Sequence, residues 1–235
     1  MGWREYISLI FNILFHKFIK LSSYLKHMDY DKKLRKASRL VHRINNFPSD
    51  NRLVQTLEAI EFTKELYDSH RTPETVDILV SAICHANNFE AAAKLLDEEL
   101  ERFPDASELH YDVAEIHLAL YHQSEPKNLD FLLIAKNHIK QAGNLSPRDG
   151  RFHMTLADIY WYERKEIGSF IEYKKAERKL SFSHSTPFTE TSRKKHLANA
   201  KKAMKGIQEL RGPILTSKYW PMGDGRYHDM GILGR

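Results

Sequence analysis

Residues 89–104 read FEAAAKLLDEELERFP, residues 131–147 read FLLIAKNHIKQAGNLSP, and residues 168–181 read GSFIEYKKAERKLS. All three carry one spacing: a small residue, an apolar residue four positions on, and a Pro or Ser that closes the stretch. The positions are Ala92, Leu96 and Pro104; then Ala135, Ile139, Ala142 and Pro147; then Ser169, Tyr173, Ala176 and Ser181. Ahead of each lies another apolar-periodic segment: Val76, Leu79, Val80 and Ile83; then Val113, Ala114 and His117; then Leu156, Ala157 and Tyr160. Apolar residues at three- and four-residue steps share one face of a helix. Small residues at fixed places let two helices approach closely. Such a pair cannot bury its apolar face alone, so it must stack on neighbours. The spacing predicts an α-solenoid of antiparallel helix pairs over 73–181.

Working outward, the same periodicity predicts a helix over 30–46, with Leu34, Ala37, Leu40, Val41 and Ile44 on one side. The run NNFP at 45–48 ends it. A second helix runs to about Ser69, with Ser49 or Asp50 as its cap and Leu53, Leu57, Ile60, Leu66 and Tyr67 inward. Thr72 caps the next, with Pro73 at its first position. Helices follow over 73–86, 89–103, 107–122 (capped by Ser107), 130–145, 148–164 and 168–180. A lysine-rich final helix over 193–210 turns Leu197, Ala200, Ala203, Met204 and Ile207 inward, as the polar end of an array requires. No strand-like alternation occurs, so the fold class is all-α. The organisation read from this is an apolar basic helix (1–28), a helix pair (29–72), three repeats (73–181), a linker and capping helix (182–211) and a non-helical arm (212–235).

The charge is uneven. Residues 1–47 carry a net +7, residues 48–159 a net −10 and residues 160–235 a net +8. An acidic middle with basic ends does not make a continuous nucleic-acid track. It fits a basic partner at the middle and an anionic surface at either end. A nucleic-acid-associated helical protein using the basic region 174–211 is the alternative. The single cysteine, Cys84, excludes an internal disulfide. It reads as a packed thiol.

Residues 3–28 place Trp3, Ile7, Ile10, Leu14, Phe18, Leu21, Leu25 and Met28 on one helical face. Their longest stretch without an ionisable group is only ten residues, 6–15. A bilayer span takes roughly 20. Lys17, Lys20 and Lys26 interrupt or follow it, and the cations Lys32, Lys33, Arg35, Lys36, Arg39 and Arg43 come next. Three readings stay open: a helix lying in a membrane interface, a helix capping the array or docking on a partner, and a spanning signal-anchor. A cleavable signal peptide is not expected, because no small-residue cleavage pattern follows the apolar core. The chain is expected in the cytoplasm, peripheral at a membrane face.

No cofactor, metal or catalytic site is expected. The thirteen histidines include no HExxH and no Cys/His ligand spacing, and there is no nucleophile elbow, P-loop or dinucleotide glycine pattern. Arg148, Asp149 and Gly150 read as a helix-start turn. The tail, GPILTSKYWPMGDGRYHDMGILGR at 212–235, is broken by glycine and proline yet rich in aromatic residues. It either folds back on the array or orders on a partner. Tyr219, Trp220 and Tyr227 are its anchors in both cases.

At the three spaced units the chain resembles the tetratricopeptide repeat family, whose repeat of about 34 residues places small and large residues in this order. The first unit matches at Leu79, Val80, Ile83, Ala92, Leu96 and Pro104, with Glu99 departing from the second alanine position. The second matches at Val113, Ala114, His117, Ala135, Ile139, Ala142 and Pro147, with nine extra residues between its helices. The third matches at Leu156, Ala157, Tyr160, Ser169, Tyr173 and Ala176. The resemblance implies a non-enzymatic scaffold or adaptor in a multiprotein complex, holding a peptide or helix in a groove lined by first helices. Asp77, His85, His110, His117 and Tyr121 are the expected groove contacts. The first helices at 74–86 and 107–122 contain no Lys or Arg, so capture of an acidic tail is not implied.

Overall fold

A computed structural model describes residues 29–44, 49–182 and 190–211. The helix expected over 3–28, with Trp3, Ile7, Ile10, Leu14, Lys17, Phe18 and Lys20, lies outside the described residues. So do the arm at 212–235, with Tyr219, Trp220 and Tyr227, and the side chains of Ser49 and Asp50. The described chain is helical throughout and contains no strand. Its helices are α1 (Tyr30–Arg43), α2 (Ser49–Ser69), α3 (Pro73–His85), α4 (Phe89–Leu100), α5 (Ser107–Gln123), α6 (Leu129–Leu145), α7 (Gly150–Tyr162), α8 (Glu166–Phe182) and α9 (Glu190–Arg211). The chain divides into two compact units between Glu99 and Leu100.

In the first unit α1 packs on α2 and α3. Ala37, Phe62 and Leu66 form one buried cluster; Val41, Ile44, Ala59 and Ala82 form another. The inward stripe of α2 differs from the sequence expectation. Leu53 and Leu57 are 67% and 39% exposed, whereas Thr56, Ala59, Phe62, Thr63, Leu66 and Tyr67 are buried. Ala59, Phe62 and Leu66 are the residues of α2 that meet α1. The buried hydroxyls of Thr56 and Thr63 donate to Arg52 O and Ala59 O, both at 2.8 Å, so threonine goes inside without an unmet bond.

Helix α3 starts as expected. Thr72 Oγ1 accepts from Thr75 N, Thr75 Oγ1 accepts from Thr72 N, and Pro73 holds the first position. This reciprocal cap meets two backbone donors that the first turn would otherwise orphan. The α3–α4 turn places Asn87 at φ 60°, a left-handed conformation that asparagine tolerates better than most side chains. Asn88 Oδ1 then accepts from Ala91 N at 3.2 Å and opens α4. Glu99, at the alanine position of the repeat, is 0% exposed. Its carboxylate accepts from Tyr67 OH at 2.9 Å, from Arg71 Nε at 2.9 Å, and from Arg71 Nη2.

The second unit is two helix pairs and a closing helix. Helix α5 packs on α6, α7 on α8, α6 on α7, and α9 on α8. Ala114, Leu118, Leu132, Ala135, Ile139, Ala142, Phe152 and Ile159 form one core cluster; Ala157, Phe170, Tyr173, Ala200, Met204 and Ile207 form another. The small residues of the spacing are where the helices meet: Ala135, Ala142, Ser169 and Ala176 have no solvent exposure. A Cβ added at Gly150 would come 2.7 Å from Leu180 Cγ, so only glycine lets α7 begin against the end of α8. Asp149 Oδ1 caps α7 by accepting from Arg151 N at 2.9 Å.

Helices α5 and α6 each run to 17 residues, against 13 and 12 for α3 and α4. Most of the nine-residue insertion is therefore helix, not loop. The N-cap of α5 is Ala106, with no side-chain bond; Ser107 is already the first helical residue. The cap expected at Ser107 is thus corrected by one position.

Candidate partner-binding face

Helices α5 and α7 lie side by side in the second unit, and their facing residues make one polar and aromatic surface. Arg151 Nη2 donates to Glu108 Oε1 at 2.6 Å and to Asp149 Oδ2 at 2.6 Å, and the guanidinium lies 4.9 Å from the centre of the Tyr111 ring. Thr155 Oγ1 donates to Glu115 Oε1 at 2.7 Å. Tyr173, reaching across from α8, donates to Asp158 Oδ1. At the far end Tyr162 packs 5.6 Å from Tyr121 and 4.7 Å, edge-on, from His122.

The electrostatics of this face follow from crowding. Glu115 is exposed to solvent, yet α7 stands against one side of it. The lost hydration raises its carboxyl above the ordinary range; the Thr155 bond opposes this and the Asp158 charge adds to it. Asp158 is raised in the same way, against the pull of the Tyr173 hydroxyl and of His122. Burial likewise pushes Tyr111 well up, with Glu115 and Asp112 adding to it. Burial would lower Arg151, but its bonds to Asp149 and Glu108 hold it above the usual guanidinium value. Arg151 is thus committed to two carboxylates, while Glu115 and Asp158 are bonded by neutral hydroxyls.

The residues expected to line a groove fall in three places. Tyr121 belongs to the α5–α7 face. Asp77 and His85 are half-buried on α3 and, with Ser38, Val41, His42, Ile78 and Ser81, line a cavity of about 260 Å³ between α1 and α3. Burial pushes the His85 imidazole down, and the nearby Arg52 and His42 add to this. The outward orientation expected of His110 and His117 is corrected: they are only 9% and 7% exposed. His110 Nε2 donates to Pro104 O at 2.9 Å, and its Nδ1 lies 3.0 Å from His138 Nδ1. His117 Nδ1 donates to Val113 O at 2.9 Å. In the repeat register His110 holds the position of Val76, a core residue, and His117 that of the half-buried Ile83.

Sequence reasoning missed Tyr111, Glu115, Asp158 and Tyr162, although a signal was available. Counting from Leu79, Val113 and Leu156, Tyr111 has the register of Asp77, Glu115 and Asp158 share that of Ser81, and Tyr162 has that of His85. Cys84 is half-buried and forms no disulfide. Among the described residues no group of three or more His, Cys, Asp or Glu side chains could hold a metal ion. No helix among them is long and apolar enough to cross a membrane.

No protein-family model matches the chain, and no curated protein matches it in sequence. Solved structures do match. TTC0263, a thermophilic TPR protein of Thermus thermophilus, is 17% identical with a TM-score of 0.58, over 78% of this chain and 84% of that one. Human IFIT1, seen as a dimer with m7Gppp-AAAA and with PPP-AAAA, is 14% identical with TM-scores of 0.53 and 0.52. That match covers 77% of this chain but only 45% and 46% of IFIT1. The chain therefore has the all-α, helix-pair fold of tetratricopeptide-repeat proteins.

Proposed function

We propose that this chain is a non-enzymatic protein-interaction scaffold, held at the cytoplasmic face of a membrane or on a membrane-bound complex. One observation carries the scaffold reading. Helices α5 and α7 bring tyrosine rings and carboxylates onto a surface that solvent still reaches. Aromatic groups with a polar tip are the residues that anchor protein interfaces. Tyr121 contributes to this face. Asp77 and His85 offer a second contact, within their own unit. The aromatic arm with Tyr219, Trp220 and Tyr227 is a further partner contact.

The attachment reading draws on α1. Lys32, Arg35, Arg39 and Arg43 are exposed, and their spacing puts them on one helix face. They directly follow the apolar residues Trp3, Ile7, Ile10, Leu14 and Phe18 and the cations Lys17 and Lys20. A cation beside an anionic leaflet is worth about 1 kcal/mol, so the stripe strengthens what the apolar segment begins. Co-sedimentation with phosphatidylserine–phosphatidylcholine vesicles tests this. The full chain should pellet, and a chain lacking residues 1–28 should stay folded and remain in the supernatant; a folded full chain that ignores the vesicles refutes attachment. A photoreactive benzoylphenylalanine in place of His122 tests the scaffold reading. It should yield protein adducts in the source cells, and their absence from this and neighbouring positions refutes the reading.

A further inference from the structure

We propose that the α5–α7 face takes a lysine- or arginine-bearing segment of a partner protein; this rests on the scaffold reading and names the chemistry of the partner. The charges on the face are one-sided. Glu108, Glu115, Asp149 and Asp158 stand against one guanidinium, Arg151, which Glu108 and Asp149 already bind, and one ammonium, Lys127, at the Tyr121 end. Glu115 and Asp158, side by side on adjacent helices, are bonded by the hydroxyls of Thr155 and Tyr173. A hydroxyl satisfies a lone pair but cancels no charge. An incoming ammonium or guanidinium would do so, most strongly at the half-buried Asp158, where crowding by protein makes an ion pair stronger than on an open surface.

The rings add a second, independent fit to the same chemistry. Tyr111 already carries Arg151 over its face at 4.9 Å, and Tyr121 carries Lys127 at 5.7 Å. Both rings are thus held by cations of this chain, which shows the chemistry that the face accommodates. From Tyr111 to His122 the face runs about 16 Å at the helical rise per residue. That accommodates about five extended residues, enough for two cations to meet Glu115 and Asp158 while an apolar side chain lies on Tyr162. A phosphate backbone meets net repulsion there, so nucleic acid is the disfavoured occupant.

The test uses the full chain and a short fluorescein-labelled peptide of lysine, arginine and leucine, read by anisotropy. The variant Glu115→Gln/Asp158→Asn keeps both acceptor oxygens and removes both charges. Its affinity for the peptide should fall by about tenfold or more, while its melting temperature is no lower than the parent's. A control, Glu98→Gln/Glu101→Gln, removes two exposed carboxylates of the α4 end and should leave affinity within about twofold. Equal weakening in both variants, or none in either, overturns the proposal, as does an oligoadenylate that displaces the peptide. The adducts formed from position 122 separate the two levels. Adducts with neutral or acidic partner segments overturn the cationic-partner inference and leave the scaffold standing. Absence of any protein adduct overturns both.

Discussion

Glu115 and Asp158 work against the fold they belong to. Each has a carboxyl raised by lost hydration. A raised folded-state value means the stabilising balance is complete below the unfolded value, near pH 4 for carboxylates, and is lost as pH rises through the folded value. At neutral pH Asp158 therefore weighs on stability, and Glu115, screened by the solvent that reaches it, weighs less. Glu115→Gln/Asp158→Asn should melt higher than the parent at pH 7, and the gain should disappear near pH 4, where the parent's own carboxyls are protonated. Glu172 has the opposite sign. Although burial acts to raise it, His153 at 2.6 Å and Lys175 at 2.8 Å hold it low. Its contribution is present at neutral pH and fades as pH falls through the depressed value, so Glu172→Gln should melt lower than the parent at pH 7. Thermal melts at the two pH values check both signs; parallel losses in the two variants would contradict this account. A pair of residues that a fold tolerates at a stability cost is what a binding surface looks like. None of this is legible from composition, because the sequence does not say which carboxylates a neighbouring helix crowds. His110 and His117 are easily misread for a related reason: their polarity points outward, while their register, shared with Val76 and Ile83, points inward.

At the scale of the helix, periodicity carries most of the reading. Helices α3, α5, α6 and α9 begin and end within about three residues of the expected bounds, a normal scatter for helix ends. Small residues at the repeat positions do mark the contacts between helices. What periodicity does not resolve is α2, where two apolar stripes compete. Leu53 and Leu57 form one stripe, but Ala59, Phe62 and Leu66 are the ones that meet α1, and that contact decides. The same reasoning explains Glu99, the one departure from the repeat's second alanine. Its buried carboxylate joins Tyr67 and Arg71 of the α2 end to α4. Removing Arg71 strands a charge with no exposure at all, whereas removing Glu99 leaves a guanidinium that is 38% exposed and can turn to water. Buried pairs are costly to break on one side and cheap to remove together. Arg71→Ala should therefore lower the denaturation midpoint more than Glu99→Ala, and Arg71→Ala/Glu99→Ala should resemble Glu99→Ala alone. Urea titrations of the three variants check this ordering, and a Glu99→Ala loss larger than that of Arg71→Ala would refute it.

Across the whole molecule, the two proposed surfaces have opposite charge and sit on different helices. The cation stripe of α1 belongs to the basic segment 1–47, and the α5–α7 face to the acidic segment 48–159, with net charges of +7 and −10. At about 0.15 M ionic strength exposed charges act over about 8 Å, so each surface answers to its own neighbours and not to the net charge of +5. Substitutions at independent sites are close to additive. Reversing two α1 charges, Arg35→Glu/Arg39→Glu, should release the chain from phosphatidylserine vesicles and leave its affinity for the lysine–arginine peptide unchanged. Neutralising the α5–α7 face, Glu115→Gln/Asp158→Asn, should weaken the peptide and leave vesicle binding unchanged. The four-residue combination should lose both by the sum of the single effects, measured as free energies from the same two assays. A combination that deviates strongly from that sum would mean the surfaces communicate. Loss of both activities from either pair alone would mean that bulk charge, rather than two separate faces, governs what this chain holds.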